Sequence, residues 1–571
     1  MSCVEGRRFL SKTSRIAAAT TVAAALALAA CGGSGGSSSV TPATIVPPVP
    51  VVVVTTGDAV RLAKQASFGP TDALANHIAA LGASAWLDEQ FAASGSTYAD
   101  LATRAVTGNY CVLTAPTALT ACNRDYFSQG PVAWEFYTHA VQNGDQLRQR
   151  VAFALSQIIV ASDFEVHTTA GLAVFNQLFL DGAFGNYRAL LRAVTLNPFM
   201  GNYLDLVDSA KAAPNENYAR ELMQLFSMGV NALNPDGSVK TDSTGAPVPN
   251  YTAADVHDIA RAFTGWTYAR FAGAAANDLN QIDYSKPLII NAAQFDTTAK
   301  TFLGTTVPAG ASEDANIDAV IDAVFNNAST APYVSKFLIE QLVISNPSPA
   351  YVGRVSAVFA NNGNGVRGDL KAVIRAILTD ADARGEAKTG ASDGKLKEPV
   401  LFSIALARLL AVKTDGYAFT TRDAAMGQVP FRAPSVFNFY PPDYPLPLGG
   451  GLLSPPTKLI TASTILARHN LAYDWTIGGD SRNEFAVQAT ITGSTGTQPD
   501  FSAWDALTDP AKLVDAIDLL MLNKTMTSQQ RTALLAAINA ISDPVAATQA
   551  HKRAQTALYI VAASPQFQVD R

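Results

Sequence analysis

Histidine is scarce in this chain and never paired. Six of them, His77, His139, His167, His257, His469 and His551, are spread over 571 residues. None falls in an H-x-x-x-H, H-E-x-x-H or H-x-H spacing, so no histidine metal centre and no cofactor is expected. Charge is also sparse: acidic and basic residues together make up 15% of the chain. There is no lysine or arginine run to follow a phosphate backbone, and nucleic acid is not expected as a partner. A G-x-S-x-G elbow at a strand–helix junction, a G-x-x-x-x-G-K-[ST] loop and a G-x-G-x-x-G in strand–helix context are all missing. Asn234–Ser238 (NPDGS) begins like a calcium loop, but the later acidic positions fail the pattern and it reads as a tight turn.

Long apolar runs are missing too, apart from one at the start. Arg7, Arg8, Lys12 and Arg15 precede fifteen apolar residues, Ile16 to Ala30. A membrane span needs about 20, whereas a secretory signal needs fewer. The run ends in Leu28-Ala29-Ala30-Cys31 and is followed by GGSGGSSS. That resembles a lipoprotein box, with cleavage before Cys31 and acylation of its thiol and amine by chains of the palmitate type. Gly32, rather than aspartate, follows the cysteine, which resembles outer-membrane sorting. The alternative is an ordinary signal peptide. Without residues 1–30, which carry those four basic side chains and Glu5, the net charge moves from −6 to −9. Residues 31–57 read as a tether, Gly/Ser-rich and then extended through PATIVPPVPVVVV. The valine run could instead add an edge strand.

Of four cysteines, Cys3 leaves with the signal and Cys31 is lipidated. Cys111 and Cys122 remain, bracketing VLTAPTALTA in a loop-like region of an oxidising compartment, and a disulfide between them is expected. A metal site is the poorer alternative, since no histidine lies near.

From Asp58 onward the apolar spacing is helical. Amphipathic segments recur at about 58–67, 71–80, 82–93, 130–142, 144–162, 168–180, 184–194, 215–229 and 252–264. They resume at about 314–328, 330–345, 349–361, 366–379, 396–412, 455–472, 509–521, 527–541 and 546–562. The fold class is mainly α, a large multi-helix body with at most a small hairpin from PLIIN and KTFLGTTVP, within 287–308. About 510 residues exceed one ordinary core. Two lobes, 58–390 and 391–571, are expected, divided in the Gly/Asp-rich stretch near Gly385–Gly394.

The densest polar and aromatic constellation is PNENYARELMQLFSMGV, followed by NYTAADVHDIARAFTGW. Asn215 is placed to cap, Gly229 to stop the first helix, Thr252 and Asp255 to form a capping box, and Gly265 to stop the second. The two apolar faces predict that the helices pack together, with Arg220, Glu221 and Arg261 in one network at the seam. Glu216, Glu221, Arg220 and Arg261 are the candidate catalytic residues, and Asn217, Tyr218 and Trp266 the candidate binding residues beside them. Two carboxylates with an arginine could hold a glycan or supply acid–base chemistry; the favoured alternative is a buried network that pins two helices. The second candidate is the FNFYPPDYP loop, where Phe437, Phe439, Tyr440 and Tyr444 among prolines would offer a stiff stacking surface or else pack on the core.

These stretches resemble the large bacterial family called domain of unknown function 1800. The resemblance extends to LAKQASFGPT (Leu62–Thr71), WLDEQF (Trp86–Phe91), LRQRVAFALSQ (Leu147–Gln157), AFGNYRALL with NPFMGNYLD, FDTTAKTFLG (Phe295–Gly304), GKLKEP near Glu398, MGQVPFRAPSVFNFYPPDY (Met426–Tyr444) and SPQFQ (Ser564–Gln568). Other members often carry histidine pairs where this chain has Ser156-Gln157, and His-Asp where it has Thr297-Thr298. The resemblance also implies an association, since members are commonly encoded beside a second family that looks like sulfatases and alkaline phosphatases. Three functions are compatible: an envelope-anchored binding or accessory lipoprotein for such an enzyme or for an extracellular polysaccharide; a carboxylate-dependent hydrolase or lyase acting on such a polymer; or a structural envelope protein. The absence of a nucleophile or metal set favours the first.

Overall fold

Pro399–Leu409 explains the centre of the molecule. Its sequence, PVLFSIALARL, is apolar except for Ser403 and Arg408, and every one of its residues is buried. Such a helix can only sit inside others, and here the Gly130–Gln142, Tyr417–Met426 and Ala462–Tyr473 helices surround it. This computed structural model describes residues 54–275, 278–478 and 483–571. The expectations for the signal, Cys31 and the tether therefore fall outside the described residues, apart from the end of the tether.

The fold is mainly α, with 24 α-helices and four two-stranded antiparallel pairs among the described residues. No described helix is long and apolar enough to cross a membrane. Local punctuation follows the sequence closely. Thr252 and Asp255 form the capping box of Ala253–Ala262, and Asn215 Oδ1 accepts from the Asn217 amide at 2.9 Å. The helix after it is shorter than its apolar pattern, running only over Asn217–Gln224. Gly229 then turns the chain with φ 76° and its amide on the Met223 carbonyl. NPDGS is a tight turn, with Gly237 N–H donating to the Asn234 carbonyl.

Three expectations need correction. The hairpin residues do not pair with each other: Ile289–Ile290 pairs with Trp266–Thr267, and Lys300–Phe302 pairs with Thr305–Val307. Leu303 and Gly304, at φ 49° and 77°, make a two-residue turn that pairs Lys300–Phe302 with the strand next in sequence, while 289–290 pairs back with 266–267. The cysteine segment is not a loop but two short helices, Tyr110–Thr114 and Leu119–Tyr126, which the Cys111–Cys122 disulfide joins. Finally, residues 52–571 form one compact unit, so Gly385–Gly394 does not divide two bodies. The reason lies in the first helix, Thr56–Ala66, which is almost wholly buried. Its Asp58 accepts from Arg384 at 3.0 Å and from the Gly385 amide at 2.8 Å. Further along the same helix, Lys64 donates to the Met521 carbonyl at 3.0 Å.

Candidate functional site

The two sequence-expected helices do pack together, through Tyr218 against Phe263 with ring centroids 5.3 Å apart. Their charges do not meet. Arg261 faces away from the seam and donates to Asp296 and Asp258, each at 2.8 Å, and to Thr298 and the Ala299 carbonyl at its outer end. Asp258 and Asp255 in turn accept from the Thr301 and Leu303 amides. The polar side of the second helix is therefore a clamp on the Lys300–Val307 hairpin. Desolvation would raise the Asp296 carboxyl, but its hydrogen bonds from Thr298 and Arg261 outweigh that and hold it at about 2. Arg220 pairs with Glu216 at the surface, 3.1 Å away, and His257 stands 3.4 Å from the same carboxylate. Glu221 is buried, with Oε2 unpartnered and its carboxyl raised by that burial. Asn217 contacts Asp205 at the surface. Tyr218 is buried with its hydroxyl on Thr195, and Trp266 is buried in the core. Glu216, Arg220, Glu221 and Arg261 thus do not form one constellation.

The cleft lies elsewhere. It is a narrow groove, open to solvent, with a cavity volume of about 50 Å³. Tyr333, Phe337, Glu340 and Gln341 come from the Thr330–Leu342 helix, where spacings of four, seven and eight put them on one face. Gln157 and Ile158 end the Gln146–Ile158 helix, and Leu225 ends Asn217–Gln224. The opposite wall is the aromatic–proline loop: Val436, Phe437, Asn438, Tyr440 and Pro442, with Pro455 and Pro456 behind. Asn438 sits at φ 60°, which asparagine tolerates better than most residues. Its side-chain amide donates to Gln157 Oε1 at 2.6 Å, fixing the loop to the helix end. Of the four loop aromatics expected to bind, Phe437 and Tyr440 line the cleft, Phe437 being the exposed one. Phe439 turns into a smaller neighbouring cavity with Ser156 and Asn176. Tyr444 does not line the cleft; its carbonyl accepts from the Ser454 amide.

Beneath the cleft is a layer of buried charge that local sequence reading missed. Glu398 is fully buried at the start of Pro399–Leu409, and its Oε2 accepts from Tyr440 at 2.7 Å and Gln428 at 2.5 Å. Arg150 donates to the Gln341 carbonyl at 2.5 Å, and Arg468 to Gln568 Oε1 at 2.7 Å and the Lys397 carbonyl at 2.9 Å. Lys397 pairs with Asp570 at 2.7 Å. Arg150 Nε and Nη1, Arg468 Nε and Nη2, Glu398 Oε1 and Gln341 Oε1 have no hydrogen-bond partner among the described residues. The Arg468 guanidinium gains some compensation from the Phe402 ring, 5.6 Å away. Lys395, on the short strand that pairs with Val569–Asp570, is buried and lines the cleft itself. Burial pulls its amine down to about 8; Arg150 pushes the same way, while Glu398 and Asp570 oppose.

Glu340, in the cleft wall, has its carboxyl pushed up to about 7 by burial, against the weak pull of Lys336 at 3.9 Å. A carboxyl raised in the folded state from its ordinary 4.5 favours folding below that value, and the advantage is lost as pH rises through about 7. Glu340→Gln is therefore expected to stabilise the protein at pH 8 by more than about 1 kcal/mol relative to its effect at pH 4. Urea unfolding at the two pH values checks it, and equal effects would show that the carboxyl is solvated.

The matched stretches now lie in one structure. LRQRVAFALSQ supplies Arg150 and Gln157, GKLKEP supplies Lys395 and Glu398, the FNFYPPDY stretch supplies Phe437, Asn438 and Tyr440, and SPQFQ supplies Gln568. A family model described as protein of unknown function (DUF1800) matches residues 61–569. The chain belongs to this family. No curated protein and no solved structure matches it. Where other DUF1800 members were expected to carry histidines, this chain places Gln157 in the cleft wall and Thr298 between Arg261 and Asp296. Among the described residues, no three histidine, cysteine, aspartate or glutamate side chains converge as metal ligands would.

Proposed function

We propose that this DUF1800 protein is an envelope-anchored lipoprotein that holds a stretch of extracellular polysaccharide in its cleft, as an accessory to a secreted sulfatase- or phosphatase-like enzyme. The observation that carries this reading is the cleft wall: exposed Phe437 among prolines, facing Tyr333 and Phe337, with the amides of Gln157, Gln341 and Asn438 between them. Flat rings with a few fixed hydrogen-bonding groups suit a sugar face and its hydroxyls. Cys31 supplies the membrane anchor through its acyl chains, since two or more chains hold a protein stably where one does not. Outer-membrane sorting follows from Gly32.

The test is retention of envelope polysaccharide on the immobilised mature protein. Phe437→Ala is expected to weaken it about tenfold, the loss of one stacking platform. Retention unchanged by that substitution contradicts the reading. Anchoring is tested apart from binding: Cys31→Ser protein is expected to leave the membrane fraction.

A second reading, a carboxylate-dependent polymer hydrolase or lyase, is favoured by Glu340 alone. A carboxyl held protonated near neutral pH in a cleft wall is placed as a general acid would be. Cleavage of the retained polymer by wild type, abolished in Glu340→Gln, would select this reading over simple binding.

A further inference from the structure

The cleft floor is cationic in a protein that is otherwise acidic. Arg150, Arg468, Lys397 and Lys395 are all buried in the layer next to it, opposed by the carboxylates of Glu398 and Asp570, and of the four only Lys395 lines the cleft. Glu398 spends one oxygen on Tyr440 and Gln428, and Asp570 is taken by Lys397. What is left is Lys395. Its residue is 7% exposed, it lines the cleft, and among the described residues its ammonium has no hydrogen-bond or ion-pair partner. Beside it Gln341 is 9% exposed, lines the same cleft, and leaves Oε1 without a partner. A lysine with four methylenes ordinarily reaches water. The Lys395 ammonium is not fully enclosed and opens to the cleft beside a second cation, so an anion entering the cleft would share the site.

We propose that Lys395 is the seat for an anionic group of the ligand, with Arg150 behind it adding positive potential, so that the polysaccharide is an acidic one bearing uronate carboxylates or sulfate esters. This deepens the reading of the cleft as a sugar site and rests on it. The geometry divides the work. Phe437 and the prolines take the ring face, the Gln341 side-chain oxygen accepts from a hydroxyl, and the ammonium takes the charge. Below about pH 7 the Glu340 carboxyl in the wall is mostly protonated and does not oppose the anion. Charge-assisted hydrogen bonds of this kind are about twice as strong as neutral ones. The acid, rather than the ring, therefore sets specificity.

The experiment titrates three soluble oligosaccharides into the mature protein: a galacturonate tetramer, the same tetramer fully methyl-esterified, and a sulfated galactose tetramer. Wild type is expected to bind an acidic tetramer at least about tenfold tighter than the ester. Which acidic tetramer it prefers separates carboxylate from sulfate. Lys395→Met keeps the length of the side chain and removes a buried charge, a change that is often neutral or stabilising. It is expected to bind all three at the level of the ester, with its ligand-free melting temperature held or raised. If wild type binds ester and acids equally, the anion seat is wrong while the sugar cleft stands. If Lys395→Met keeps the preference for acid, the anion sits elsewhere and the assignment to Lys395 falls. Binding of none of the three would overturn the sugar cleft and the anion seat together. Should Lys395→Met misfold, Lys395→Gln replaces it, and the acid-against-ester comparison on wild type stands by itself.

Discussion

Replacing Glu398 with alanine is expected to destabilise the protein by about 3–5 kcal/mol, the range for breaking a buried ionic network from one side. The carboxylate is fully buried and is the near counter-charge for Arg150, Arg468 and Lys395. Its removal strands those cations and also leaves the Tyr440 hydroxyl and the Gln428 amide without their acceptor. Glu398→Gln keeps an acceptor in place and is expected to cost less, which separates lost charge from lost hydrogen bonds. Arg468→Met introduced into the Glu398→Ala background should recover part of the loss, since the two act on each other directly. Urea unfolding of the four proteins decides it. A cost below about 1 kcal/mol for Glu398→Ala would mean that the layer is hydrated and that its cations need no partner.

Gly265→Ala is expected to cost about 3–5 kcal/mol, combining a strained backbone with a steric clash. At φ +84° the glycine adopts a conformation alanine disfavours, and an added Cβ would stand 2.9 Å from the backbone of Phe295. Nothing flexible is available to move. The same position fastens the turn from both sides, donating to the Ser209 carbonyl at 2.8 Å and accepting from the Asn291 amide at 2.7 Å. Gly245→Ala is the control. It has a similar φ of +85° but open space around the added methyl, and should show the backbone cost alone, about 1 kcal/mol. Equal losses at the two positions would show that the Phe295 contact relaxes.

Much of this architecture is legible in the amino-acid sequence, for local reasons. Helix positions follow from apolar spacing, and the Thr252–Asp255 box and the left-handed glycines at 229 and 265 from rules acting within a few residues. The disulfide between Cys111 and Cys122 is legible by counting. The candidate site is legible only in part, because its physics is not local. In sequence, Arg150 is one charge in an amphipathic helix, Glu398 an acid before a proline, and Arg468 a base on a third helix. Only packing around the apolar Pro399–Leu409 helix brings them together. The charge-rich Lys395-Leu396-Lys397-Glu398 run ahead of an almost wholly apolar helix is the available signal, since charges leading into such a helix are carried inside with it. The Asn217–Gln224 and Ala253–Ala262 pair draws attention for the opposite reason. It concentrates polar residues in sequence, yet Arg261 spends them on the Asp296 hairpin and Arg220 on surface Glu216. The aromatic loop divides: Phe437 and Tyr440 face the cleft, while the left-handed turn at Asn438 sends Phe439 to the other side.

Whether the cleft is the binding site is tested by amide hydrogen exchange of the mature protein with and without envelope polysaccharide, read peptide by peptide. Ligand in the cleft is expected to slow exchange in the 436–442 loop, at the 337–345 end of the Thr330–Leu342 helix and around Lys395, and to leave the Ala253–Ala262 helix unchanged. Protection confined to Glu216–Arg220 and the Asp258–Arg261 face, with the 436–442 loop unaffected, would contradict the cleft assignment and return the centre of the protein to the helix pair.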